Sequence, residues 1–368
     1  MTDRNATDNV VNLTACVERR QILKGLVLAG VGITSIASFA GRLEAATAEE
    51  VAALKIMVQP GLVPEILNKH SIPQFVSAHP GSSVTLEAGS PFQMYTKILA
   101  MGRKPFASGG MFNDETAQRG IIDEMWVKFK KENVPNSQAV PDELMTPGGF
   151  GIPFHLTPFG IMYNPDRVEK PKSWTDLFNP KYKGRISMRD AYFAAYVAAA
   201  MVSGKGLSAE EGVKVWAKYK DNIGYWADSV TSEADMVSRG EVWIAPQWGA
   251  WTEQARVQGK NVAFSLPEEG AIRWTGHMQT LVGFSEPMVD ITQQYLDTWN
   301  SPECQLAWVT EGFFSPASRN VAIPQNLAGN DAVLSADDLV KKTIPYDAAK
   351  VSGAIPDLMK QINRELKS

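Results

Sequence analysis

The stretch from Gly148 to Asn164 constrains the fold of this chain most. It reads Gly-Gly-Phe-Gly-Ile-Pro-Phe-His, then Leu-Thr-Pro, then Phe-Gly-Ile-Met-Tyr-Asn. A half-buried strand alternates apolar and polar residues, whereas a strand buried on both faces reads as an unbroken apolar run. Two such runs joined by Leu156-Thr157-Pro158 are expected to be buried strands that cross between domains. A second long strand-like run, Arg273 to Phe284, is placed to carry the chain back. At 368 residues the chain is long enough for two domains, each with its own core.

The rest alternates short β-like runs with amphipathic segments, which is the pattern of an α/β protein. Strands are expected at Leu54–Val58, Ser83–Glu87, Gly184–Met188, Glu241–Ala245 and Val262–Leu266. A helical stretch from Pro64 to Val76 is interrupted by Pro73. Ser90-Pro91 supplies an N-cap and a first-turn proline for the helix that follows. Phe106 to Asn113 reads as a glycine-containing loop. Asp190 is placed to cap an alanine-rich helix running to Val202. Further helices are expected at Ser208–Tyr219, Ser232–Ser238, from Gly249 to Val257, and at Asp290–Trp299, Pro302–Glu311, Asp337–Lys342 and Pro356–Leu366.

Composition closes several routes. A net charge of −4 lacks the basic excess of a nucleic-acid binder. Two cysteines exclude a disulfide scaffold and a cysteine-rich metal site. Four histidines, His70, His79, His155 and His277, stand without metal-ligand spacing. There is no Gly-x-Ser-x-Gly elbow, no P-loop and no dinucleotide fingerprint. Glu268-Glu269 is a carboxylate pair, but adjacent side chains point apart, and a solvated turn accounts for it. Cys304 reads as a buried apolar residue on a helix.

Residues 1–48 differ from the rest. Glu18-Arg19-Arg20-Gln21-Ile22-Leu23-Lys24 precedes an apolar run from Gly25 to Ala40, and Ala46-Thr47-Ala48 offers small residues for cleavage. This resembles a bacterial twin-arginine export signal. Glu18 and Ile22 depart from its usual Ser or Thr and Phe. The apolar run is about 16 residues, short of the ~20 that span a bilayer, so a cleaved leader is expected rather than an anchor. Cys16 precedes the arginines, so it is no lipid-anchor cysteine. The mature chain would start near Glu49 and work in the periplasm.

A set of strand-end and turn segments then occurs in order. These are Gly160-Ile161-Met162-Tyr163-Asn164, Pro171 with Ser173-Trp174, Asp176-Leu177-Phe178-Asn179-Pro180, and Tyr182-Lys183-Gly184-Arg185-Ile186. Gly240 to Ala245, Pro267 to Ala271 and Gly312-Phe313-Phe314-Ser315-Pro316 follow. The chain resembles the periplasmic solute-binding proteins of ABC importers, in the branch that includes spermidine/putrescine receptors. The resemblance covers essentially all of residues 49–368. It implies the type II periplasmic-binding-protein fold, two interleaved α/β lobes joined by hinge strands. Residues 49–155 and 275–317 would form lobe 1, and 156–274 and 318–368 lobe 2. It implies a small-molecule ligand captured in the interlobe cleft by hinge closure, and a membrane permease as partner. It implies no catalysis, no cofactor, no metal and no nucleic acid, in a monomer.

The resemblance also points to residues. Trp248 and Trp274 match positions where polyamine-type receptors place aromatic walls, though core filling is the default for most tryptophans. Asp190 matches a carboxylate that binds an amino group, or is a plain N-cap. Arg189 beside it is placed to pair with Asp190 or to meet an anionic ligand. His155 lies at the first crossing, as a hinge or core residue or as a contact. Gln59, Gly110 and Phe112 sit on first-lobe loops that should rim the cleft. Two departures weigh against a long polycation. Phe193 and Gly276 stand where two further carboxylates would be expected, and Arg189 and Arg273 lie nearby. A buried ammonium group needs such partners. The expected ligand is therefore a small polar organic solute, a carboxylate or an amine, with a polyamine receptor as the alternative. No Tyr-Tyr pair is present to bind ferric ion. An exported enzyme or a structural envelope protein on the same scaffold stays open.

Overall fold

A computed structural model describes residues 53–368. The expected leader lies outside the described residues. Among those described, no helix is long and apolar enough to cross a membrane.

The twelve strands are β1 (Ala53–Val58), β2 (Ser83–Ala88), β3 (Gly109–Asn113), β4 (Trp126–Val127), β5 (Ile152–Tyr163), β6 (Ile186–Met188), β7 (Ile223–Trp226), β8 (Ile244–Trp248), β9 (Ala263–Ser265), β10 (Ala271–Leu281), β11 (Ser315–Pro316) and β12 (Thr343–Ile344). They join in one sheet with the order β2-β1-β3-β10-β5-β8-β6-β7. β1 pairs in parallel with β2 and β3, and β6 in parallel with β7 and β8. Parallel neighbours need crossover connections, which here carry helices. The long strands β5 and β10 pair antiparallel with each other, from Ile272 opposite Phe159 to Met278 opposite Ile152. They therefore bind two α/β wings into a two-lobed molecule. All twelve residues of β5 are buried, which is why it shows no alternation. β11 adds a third short segment beside β5, at His155 and Leu156.

Each wing has its own core. One gathers Leu54, Ile56, Phe75, Phe154, Trp299 and Trp308. The other gathers Phe159, Trp174, Ile186, Tyr196, Trp216 and Ile362. Leu334 and Leu339 join the first core, although they fall in the segment 318–368 expected in the second lobe.

Three local readings change. Gly109–Asn113 is a buried central strand rather than a loop. Its glycines are there for close approach: a Cβ on Gly110 would sit 2.3 Å from the Met57 carbonyl oxygen, and one on Gly109 2.8 Å from that of Gln279. The alanine-rich helix runs Phe193–Val202 with Tyr192 at its N-cap, so Asp190 caps nothing. The last helix starts at Ala348, eight residues before its internal Pro356. Ser90 does cap the helix Pro91–Met101, accepting from the Gln93 amide.

Candidate functional site

A cleft of about 270 Å³ opens where β5 and β10 meet the strand ends of both wings. The first wing supplies Gln59 after β1, Phe92 from the helix Pro91–Met101, Asn113 at the end of β3 and Glu115 in the helix Asp114–Ile122. The second supplies Arg189, Tyr192 and Trp248, with Trp251 from the helix Gly249–Val257. β5 contributes Phe159, β10 contributes Arg273 and Trp274, and Tyr346 follows β12.

Much of the wall is aromatic. Trp248 meets Tyr192 edge-on at 4.9 Å and Phe159 at 5.3 Å, and Trp251 lies 5.3 Å from Trp248 and 5.7 Å from Trp274. Such rings offer faces that stack on flat or aliphatic ligands. The ring of Tyr192 also carries the Arg189 guanidinium 4.9 Å above it.

A buried carboxyl fixes this wall from behind. Glu233 accepts from Ser187 at 2.9 Å, from the Tyr192 hydroxyl at 2.9 Å and from the Gln247 amide at 2.7 Å. Burial outweighs these bonds and pushes its pKa up to about 7. Glu115 faces the cleft and has less support. Tyr346 donates to its Oε1 at 2.6 Å, while its Oε2 is buried without a partner among the described residues. Burial and the neighbouring Asp114 charge raise it to about 7 as well.

The cations differ too. Arg189 donates to the Asp228 carbonyl at 3.2 Å and the Tyr192 hydroxyl at 3.4 Å, leaving its Nε buried and unpaired. Arg273 is half-buried and makes no ion pair or hydrogen bond among the described residues. Burial presses its pKa below the usual guanidinium value, against the Coulomb pull of Asp114 and Glu143. Asp114 is itself engaged, accepting from the Thr275 amide at 2.8 Å and meeting His277 at 2.9 Å.

The residues singled out from the sequence separate cleanly. Gln59, Arg189, Trp248 and Trp274 line the cleft. Asp190 lines an adjoining hollow, where it pairs with Lys367 at 2.6 Å. Gly110 and Phe112 are buried in β3, with Phe112 packed 4.6 Å from Trp126. His155 is sealed between Phe154 and Phe314, at 4.1 and 4.2 Å. Burial pushes its pKa down to about 3. Among the described residues, no group of His, Cys, Asp or Glu could hold a metal ion.

A family model for bacterial extracellular solute-binding proteins matches residues 106–341, well over half of the chain. The chain belongs to that family. This solute-binding protein is 27% identical, over 175 residues, to the spermidine/putrescine-binding periplasmic protein of Escherichia coli. That match spans 44% of the chain and about half, 48%, of the relative. An extracellular solute-binding protein from Bordetella parapertussis shares its fold, with a TM-score of 0.74 and 18% identity over 86% of this chain and 99% of that one. The spermidine/putrescine substrate-binding protein of Streptococcus pneumoniae gives a TM-score of 0.71 and 19% identity, over 85% and 99%.

Sequence reasoning did not assign Glu115, Trp251 or Tyr346 to the cleft of this solute-binding protein. Glu115 and Tyr346 lie 231 residues apart, and only the fold brings them together. Trp251 was within reach: it follows Trp248 by three residues, one turn along the helix that the strand end opens.

Proposed function

We propose that this protein is the substrate-binding component of an ABC importer. It captures a small polar organic solute in its cleft and presents it to a membrane permease. A twin-arginine leader delivers it to the periplasm, where it works as a monomer and catalyses nothing. Residues 49–155 and 275–317 form one lobe and 156–274 and 318–368 the other, with Leu334 and Leu339 packing against the first. One observation carries the reading: side chains from both wings converge on one cleft at the two strands that join them. A ligand held there favours the closed arrangement and shifts the population towards it.

The experiment is native mass spectrometry of the purified protein, followed by thermal unfolding with the retained solute. Binding to the folded state alone raises Tm by mass action. A retained solute that raises Tm and is recovered unchanged supports the receptor. Chemical turnover of that solute rejects it.

The Escherichia coli relative favours a second reading, a polyamine receptor. The cleft opposes it. It holds two arginines against one carboxyl, Glu115, and Asp190 is neutralised by Lys367 outside it. Spermidine and putrescine are therefore expected to leave Tm unchanged.

A further inference from the structure

Several side chains that line the cleft carry polar groups without a partner. Buried polar atoms nearly always find a partner, so those that lack one are informative. The Nε of Arg189 and the indole Nε1 of Trp248 are buried without an acceptor. The Arg273 guanidinium makes no hydrogen bond or ion pair among the described residues, although Asp114 and Glu143 act on it from a distance. All three are donors, and two belong to permanent cations. Among the buried atoms of the lining the one unpaired oxygen is Oε2 of Glu115, and the half-buried Gln59 amide makes no hydrogen bond among the described residues. A carboxyl half-protonated near neutrality presents a donor there for much of the time. Of these groups the half-buried Arg273 guanidinium is the one left open to the cleft, and it asks for a ligand that carries negative charge.

The walls restrict the rest of that ligand. Trp248, Trp251 and Trp274 form a continuous series of ring contacts, tilted between the first two and edge-to-face between the last two, ending beside Arg273 in sequence. The volume, about 270 Å³, lies at the small end for ligand sites. A guanidinium fork matches a carboxylate bidentately. Leaving this half-buried cation unpaired is unfavourable, and an incoming carboxylate removes that cost.

We infer that the solute is a small aromatic carboxylate, its carboxylate held by Arg273 and its ring laid against Trp248, Trp251 and Trp274. This rests on the receptor reading and specifies its ligand. Arg189, which also lines the cleft and lies over the Tyr192 ring, adds to the positive field. A cationic amine would meet two arginines and a single carboxyl, Glu115.

The test uses four probes of similar size: phenylacetate, benzoate, benzyl alcohol and benzylamine. Titration calorimetry and thermal unfolding are read for the wild type and for Arg273→Gln and Arg189→Gln. Either carboxylate is expected to bind and raise Tm, with benzyl alcohol at least tenfold weaker and benzylamine silent. Arg273→Gln should lose at least tenfold in carboxylate affinity, and Arg189→Gln less. Circular dichroism checks that each variant is folded, and Arg273→Lys, which keeps the charge but not the fork, should recover part of the loss. The inference is overturned if benzylamine or putrescine binds better than both carboxylates, or if neither carboxylate binds at ten millimolar. Equal carboxylate affinity in folded Arg273→Gln overturns it too. A retained solute without a carboxylate would overturn this assignment and leave the receptor standing, whereas turnover of any solute would bring down the receptor itself.

Discussion

Two aromatic clusters lie along the same strand, β5, and differ in what they border. Around His155, the rings of Phe154, Trp299, Trp308 and Phe314 close on one another. Around Trp248, the rings of Phe159, Tyr192, Trp251 and Trp274 also touch, but each borders the cleft. Trp274 bridges the two, 5.6 Å from His155 and 5.7 Å from Trp251. The residue types are nearly the same. What sets the second cluster apart is that it borders the cleft in the company of Arg189, Arg273 and Glu115. The sharpest way to break the comparison is Trp308→Ala. Trp308 is fully buried, so its loss should cost about 3–5 kcal/mol of stability. Chemical denaturation measures this, and a cost below 1 kcal/mol would show that the first cluster is no core.

Gly276→Ala probes how tightly that core is closed. A Cβ there would sit 2.2 Å from His155 Cε1, and the imidazole has Phe154 and Phe314 on its two sides. Overpacking of this kind costs roughly 1–3 kcal/mol. An unchanged Tm would mean the ring has room to move. Trp248→Ala acts on the other cluster. It should weaken the retained solute at least tenfold by calorimetry while lowering Tm less than Trp308→Ala does. Unchanged affinity in the folded variant would remove Trp248 from the wall.

Much of this arrangement was legible in the sequence because apolar runs report burial directly. β1 and the crossing strands β5 and β10 appear where their apolar runs required them, and the half-buried β2 where its alternation did. Gly109–Asn113 was not legible, because paired glycines signal a loop unless one knows that Met57 and Gln279 press on them from neighbouring strands. Pro356 hid the start of the last helix in the same way, since a proline inside a helix looks like its first turn. At the site, Trp248 and Trp274 could be picked out by their places at strand ends. The Glu233 cluster and the Glu115–Tyr346 bond could not, because their partners come from distant segments. Asp190 and Lys367, 177 residues apart, form a pair for the same reason.

The two regions also differ in how they titrate, and this gives the finest test. Glu115, on the cleft, has its pKa raised from 4.5 to about 7. Between those values the folded protein holds a proton that the unfolded chain has released. Stability from this group is therefore highest below the unfolded value, falls as pH rises towards 7, and levels off above. His155, in the sealed core, is depressed from 6.5 to about 3. Below pH 6.5 the unfolded chain takes up a proton that the folded one refuses, so its contribution falls as pH drops. Glu233 follows the sign of Glu115. The opposing slopes blur the wild-type curve, but a difference isolates one group. Glu115→Gln keeps the acceptor for Tyr346 and removes the titration. Between pH 6 and pH 8 its stability should fall less than that of the wild type by about 1 kcal/mol, one pKa unit being worth ~1.4 kcal/mol. His155 and Glu233 are present in both proteins, so their contributions cancel in the difference. Urea denaturation at the two pH values measures the difference. Parallel curves would show that Glu115 is already ionised at pH 6, which would add a standing negative charge to the cleft and weaken the proposal that its ligand is an anion.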